Sequence, residues 1–227
     1  MRERGGLIAA LALSSTVAAG CLPMVNHGPQ VENALSGGLS AGWSVGPKYM
    51  QGDWGEWPVL VPSIGANVSR GWRGDQLDEG ALQLGLHLPA LAVAAFPAGL
   101  MLMQGDSYYQ FPATWTGDLD AGAGLNASWL HAMPYAQLGR ISPEGNGWYT
   151  TQGFGVFAED DFRDLYAVAW VPTVAYQSTK GNRTIHYFLT GSVARHPETC
   201  HIGICDKSDI RYLAAIGVTL QFNSRRE

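Results

Sequence analysis

Charge is what this 227-residue chain has least of. Lys, Arg, Asp and Glu make up 15% of it, well under the roughly 25% of ordinary soluble domains. Its 14 basic and 19 acidic residues leave a net charge of −5, and without a basic excess there is nothing to attract nucleic acid. Long apolar runs are also missing. The best candidate, Pro89 to Met103, is interrupted by Pro89, Pro97 and Gly99, whereas a membrane-crossing helix needs about 20 consecutive apolar residues. No P-loop or His-Glu-x-x-His helix occurs, so no standard nucleotide-binding or metallohydrolase motif marks an enzyme, a metal site or a cofactor. Cysteine is scarce, at three residues.

What the chain does have is alternation. The stretch Tyr212 to Phe222 places Tyr212, Ala214, Ile216, Val218, Leu220 and Phe222 on one face and Leu213, Ala215, Gly217, Thr219 and Gln221 on the other. Such a period of two predicts a strand, and its length suits a tilted membrane crossing with aromatics at both interfaces. The same pattern predicts strands over Gly37 to Gly46, Val59 to Arg70, Ala81 to Leu88, Asp118 to Leu130, Leu165 to Gln177 and Arg183 to Arg195. Weaker strands are expected over Leu91 to Met103, Ala132 to Ile141 and Trp148 to Ala158. Gln104 to Thr116 reads as a polar, aromatic connection, and Lys180-Gly181-Asn182 as a turn.

The chain ends carry a different message. Arg2 and Arg4, the apolar run Leu7 to Leu13 and the small residues before Cys21 have the order of an export signal over residues 1–20. Residues 21–36 then form a polar tether without chemistry of its own, residues 37–222 the folded unit and residues 223–227 a tail. In an exported protein Cys200 and Cys205 are expected to form a short-loop disulfide. A zinc site that added His196 and His201 is the less favoured alternative.

A soluble strand face is expected to carry roughly a quarter to a third of charged residues. The polar faces here are Ser, Thr, Asn, Gln, Gly and Ala, with Asp118 and Asp120 almost the only charges. Small neutral side chains suit an enclosed interior, which leaves the apolar faces for lipid. An open sheet edge in hydrocarbon would strand unpaired backbone groups, so the sheet must close. The prediction is an all-β protein, a single antiparallel transmembrane up-and-down β-barrel of about ten strands, eight being the alternative. Asp118, Asp120, Asn126, His87, His186 and Gln83 are the candidates for lining its lumen. Val218→Arg is expected to disrupt the lipid face, and Thr219→Arg to be tolerated or to alter a lumen.

With these strands the chain resembles the small bacterial outer-membrane barrels of the OmpA and OmpW type, from Gly37 to Phe222. Tyr212 to Phe222 resembles the closing-strand signal of that class, which implies the outer-membrane assembly machinery as a partner alongside membrane lipid. Ala18-Ala19-Gly20-Cys21 resembles the bacterial lipoprotein signal, implying diacylglycerol on Cys21 and, through Leu22, outer-membrane sorting. The resemblance also implies both termini in the periplasm, with Pro47 to Pro58 and His196 to Ile210 outside. Function is left at a structural, adhesive or narrow-pore role without an assigned small-molecule ligand. The alternatives are a lipid-anchored periplasmic ligand-binding barrel and an integral lipid-modifying enzyme with acid/base groups on the lumen or loops.

Overall fold

The computed structural model describes residues 25, 27–46, 59–73, 80–89, 103–129, 131–158, 166–196, 199–201, 204–206 and 209–224. Ten antiparallel strands close into a barrel: β1 (Leu35–Gly46), β2 (Val59–Arg73), β3 (Ala81–Pro89), β4 (Gln104–Gln110), β5 (Asp120–Ala127), β6 (His131–Ile141), β7 (Gly147–Ala158), β8 (Tyr166–Lys180), β9 (Arg183–His196) and β12 (Asp209–Ser224). Each pairs with its neighbour in sequence, and the seam runs between β1 and β12 from Leu35↔Ser224 to Val45↔Ala214. Closure leaves no strand edge unpaired. In the β9–β12 connection, β10 (Thr199–His201) and β11 (Ile204–Asp206) make a separate hairpin. A single helical turn, α1 (Ala113–Thr116), lies between β4 and β5. The expected all-β, ten-stranded up-and-down barrel is what forms.

Its two faces are inverted relative to a water-soluble domain. Outward-facing Ile64, Leu189 and Ile216 are 63%, 56% and 59% exposed, with Leu39, Val68, Leu84, Leu86 and Leu125 beside them. Inside, Asn126 and Thr219 are both 0% exposed, and Gln83, His87, Gln137, Thr184, His186 and Gln221 are buried. Side chains alternate across a strand, so each strand sends one set to each face. β6 shows the rule without a break from His131 to Ile141.

The connections divide the barrel into two ends. Both ends of the barrel chain, near Leu35 and Ser224, share one rim with the connections 74–80, 111–119, 142–146 and 181–182. Connections 47–58, 90–103, 159–165 and 197–208 leave from the other rim, together with the three-residue connection 128–130. Below, these are the terminal end and the loop end. The turn at Lys180-Gly181-Asn182 is as expected, and Gly181 has φ 64°, a left-handed conformation that glycine adopts without steric cost.

Three assignments change. Residues 104–110, expected as a connection, are strand β4; the strand expected over Leu91 to Met103 falls outside the described residues except for Met103, which is not in a strand. The outer face of β4 is Gly105, Ser107 and Tyr109, so apolar alternation was absent where it was sought. β12 runs on to Ser224, with Asn223 buried, so the tail expected from 223 begins later. The third change concerns the expected tether. His27, Gly28, Pro29, Val31 and Ala34 are buried, and β1 starts at Leu35. The signal segment and Cys21 lie outside the described residues.

Candidate functional site in the barrel lumen

From Ala34 backwards, the chain turns into the barrel. At the terminal end Gly71 of β2 donates its N–H to the Ala34 carbonyl at 3.0 Å. A side chain at Gly71 would collide with the Glu32 carbonyl, so glycine lets the inserted backbone lie against the wall. The Glu32 carboxylate accepts from Asn223 Nδ2 at 2.7 Å, Val31 N–H donates to Gln110 Oε1 at 2.9 Å, and Gln30 Nε2 donates to Asp120 Oδ1 at 3.1 Å. Deeper in, Tyr108 OH donates to the Pro29 carbonyl at 3.1 Å and Gln137 Nε2 to the His27 carbonyl at 3.0 Å. Backbone groups of a segment without secondary structure thus find partners on the wall, as buried backbone requires.

His27 sits deep in this plug, followed inward by Val25, which packs against the cluster of Tyr108, Met133 and Tyr135. Nδ1 of His27 lies 2.8 Å from the Gly28 carbonyl, and its Nε2 lies 2.9 Å from Asp106 Oδ2 and 3.0 Å from Tyr135 OH. Tyr135 also donates to Asp106 Oδ2 at 3.0 Å. Tyr108 and Tyr135 are stacked, with centroids 6.1 Å apart and rings 2° from parallel, and His27 tilts over Tyr108 at 4.8 Å. On the intervening strand β5 stand Gly122 and Gly124; a methyl at either would run into Tyr108 or Tyr135. The small residues of the inner face therefore make room for large ones on adjacent strands. A side chain at Gly28 would meet the Gln177 carboxamide, which would have to move aside. Among the described residues, two small voids lie beside His27, about 20 Å³ next to His87 and Asp106 and about 30 Å³ next to Gln177 and His186. A water needs at least about 10–15 Å³, so each has room for a water or two.

The expected lumen residues separate into three groups. Gln83, His87, Asn126 and His186 are buried inside the barrel. His186 receives the Tyr149 hydroxyl on Nδ1 at 3.1 Å and meets Gln221 Oε1 through Nε2 at 3.3 Å, while Nδ1 of His87 has no hydrogen-bond partner among the described residues. Asp120 is half-buried at the terminal mouth, where its Oδ2 accepts the Ile141 N–H at 3.0 Å. Asp118 precedes β5 in an exposed turn. The two carboxylates do share one open cavity of about 500 Å³, with Arg73, Gln110 and Phe111, but they are not two positions of one strand face. Cys200 and Cys205 are directly opposite in the β10–β11 hairpin. His27, Asp106, Tyr108, His131, Tyr135 and Gln137 were not foreseen. A buried His-Asp pair bridging 79 positions leaves no trace in local periodicity.

At the loop end a second network begins. Ser128 Oγ is 2.8 Å from His131 Nδ1, and His131 Nε2 is 2.6 Å from Asn126 Oδ1. Asn126 Nδ2 donates in turn to Asp106 Oδ1 at 3.4 Å. One carboxylate thus joins the plug to the turn between β5 and β6.

No family model matches the chain, and no curated protein does. Among solved structures, a triple mutant of the Rhodopseudomonas blastica porin is similar at 7% identity, over 83% of this chain and 100% of that one, with a TM-score of 0.25. A structure described as "Asymmetric conductivity of engineered proteins" is similar at 8% identity over 83% of this chain and 99% of that one, with a TM-score of 0.23. The architecture rests on the chain's own strand pairing.

Proposed function

We propose that the protein is an integral bacterial outer-membrane barrel that is closed to solutes by its own N-terminal segment and serves a structural role. The observation that carries this is the inversion of faces: Leu, Ile, Val and aromatic side chains stand outside while Gln, Asn, His and Thr are buried within. Monomeric soluble proteins rarely expose apolar patches beyond a few hundred Å², and here such a surface circles the wall. Tryptophan supports the same reading, with Trp72, Trp115 and Trp148 toward the terminal end and Trp43 and Trp129 toward the loop end, as interfacial belts require. On the outer face of the terminal rim stand Arg70, Arg140, Lys180 and Arg183, with Arg70 over the Trp72 ring and Arg183 over that of Phe222. Cations there meet lipid phosphates while their stems lie on apolar surface.

The longest connections, 47–58, 90–103 and 197–208, leave from the loop end, as external loops do, which supports a periplasmic terminal end. The OmpA/OmpW-like type, the signal peptide, lipid on Cys21, recognition of β12 by the assembly machinery and a Cys200–Cys205 bond belong to this proposal as expectations. The longer loop-end connections favour an adhesive role as the second reading.

Two measurements test it. After Cys21→Ala, the protein is expected to stay in the membrane pellet through a carbonate wash; release would overturn the integral barrel. Reconstituted in planar bilayers it is expected to be silent, and a variant lacking residues 25–34 to conduct. Steady conductance by the intact protein would overturn the closed lumen.

A further inference from the structure

The Ser128 network has a direction, set by chemistry at its far end. Asp106 is a carboxylate and only accepts, so the group of Asn126 that faces it is the amide Nδ2. Oδ1 of Asn126 therefore faces His131. An amide oxygen also only accepts, so Nε2 of His131 carries the proton in the 2.6 Å contact. Nδ1 of this tautomer carries no proton, and the 2.8 Å contact is a hydrogen bond that Ser128 Oγ–H donates to it. One buried acid thus fixes an amide orientation, the amide fixes a tautomer, and the tautomer points a basic nitrogen at a hydroxyl.

That is the arrangement of an activated nucleophile: a hydroxyl, a base within hydrogen-bond reach, and a third group that holds the base in the correct tautomer. The imidazole and the amide are buried, whereas Ser128 is half-buried. The turn that carries Ser128 is held by its N–H donating to the His131 carbonyl at 2.8 Å. Next in sequence stands Trp129, 78% exposed at the loop end, an anchor for the interface where the ester linkages of amphiphiles lie.

We propose that Ser128 and His131 are the nucleophile and general base of an acyl-ester hydrolase site, with Asn126 and Asp106 as positioning residues. Its substrate class is the carboxylic ester of an amphiphile at the loop-end interface. The substrate class, not the chemistry, rests on the membrane reading above. Ser128 Oγ bonds to the ester carbonyl carbon as its proton passes to His131 Nδ1. Collapse of the tetrahedral adduct breaks the bond to the alkoxy oxygen, which leaves with that proton as an alcohol. Water then attacks the acyl-serine carbonyl, giving one proton to Nδ1. Oγ departs and takes it back, so ester and water become acid and alcohol. The other proton stays on His131 Nε2 throughout, donated to Asn126 Oδ1.

The test uses the full-length protein in detergent micelles, with a fluorophosphonate probe and a medium-chain p-nitrophenyl ester. Heat-dependent gel mobility confirms that each variant is folded. Labelling and hydrolysis are expected in the wild type, with both lost in Ser128→Ala and a kcat loss of about 10³-fold or more in His131→Gln. Asp106→Asn frees the Asn126 amide to flip, and is expected to lower kcat while leaving KM unchanged; a merely structural role would not split the two. Asn126→Asp, which keeps an acceptor on Nε2, is expected to retain far more activity than Asn126→Leu. A folded wild type that neither labels nor hydrolyses overturns the site and leaves the network as a lock on the turn. Equal labelling of Ser128→Ala overturns it as well. Carbonate extraction of the same preparation keeps the two proposals apart: hydrolysis by a released protein sinks the membrane reading alone.

Discussion

His27 Nε2 lies 2.9 Å from Asp106 Oδ2, and through this contact a residue ahead of the first strand is held by the middle of the lumen. Both side chains are largely sequestered from water, and each ring nitrogen of His27 has an acceptor within reach. Removing one partner of a buried pair costs about 3–5 kcal/mol, because the other is left uncompensated. Asp106→Leu and His27→Leu are each expected to lower stability by about that much, and the double variant by clearly less than the sum. Urea unfolding in detergent, followed as the loss of the heat-dependent gel shift, measures the coupling; additive costs would show that the pair does not interact.

Gly71 controls how closely the plug lies against β2. In Gly71→Val the new side chain meets the Glu32 carbonyl, and because that obstacle is backbone it yields only if the segment moves. In a background without native cysteines, Gln30→Cys is expected to react slowly with a water-soluble maleimide. Adding Gly71→Val should speed labelling by at least about tenfold, an opening free energy of about 1.4 kcal/mol. Equal rates would mean that the segment is not held there.

Val218 and Thr219 are adjacent in β12 and face opposite ways. Val218 pairs with Ala41 and Tyr187 on the outer face, and Val218→Arg is expected to cost about 2–4 kcal/mol at the bilayer midplane. Thr219 is wholly buried, so of the two expected outcomes for Thr219→Arg, tolerance or an altered lumen, burial favours the second. An Arg there has no void to enter, so the gel shift of the folded form should be lost or much reduced. Normal folding of Val218→Arg would reverse the assignment of inside and outside.

Cys200 and Cys205 are an opposed pair in an antiparallel hairpin, and such pairs have Cα atoms about 4.5–5.5 Å apart, within the range a disulfide spans. A bond between them is expected in protein from an oxidising compartment. Denatured, unreduced protein should take up two fewer maleimides than reduced protein; equal uptake would show free thiols.

How much of this was legible depended on which face carried the signal. β2, β3 and β9 alternate apolar with small polar residues, and their parity alone placed Gln83, His87 and His186 inside. In β6 both faces carry apolar residues, Met133, Tyr135 and Ile141 inside and Ala132, Pro134, Ala136 and Leu138 outside, so alternation alone gives no clean face. β4 has no apolar outer residue apart from Tyr109. The plug has no period at all, and residues 27–31 are bound by positions 79–110 residues away. Ser128, His131 and Asn126 are near in sequence, but their meaning depends on Asp106, which only the strand pairing of β4 with β5 brings alongside.

Asn223 was assigned to a tail, yet its Oδ1 receives the Ser36 hydroxyl at 2.8 Å, its Nδ2 reaches Glu32, and its N–H donates to the Asn182 carbonyl at 2.9 Å. A single residue near the end of the chain thus fastens the inserted segment, the first strand and the β8–β9 turn together. The barrel's closure and its filling share this clasp, so a chain cut short after Phe222 would lose the seam's last polar tie and the plug's outer anchor in the same stroke.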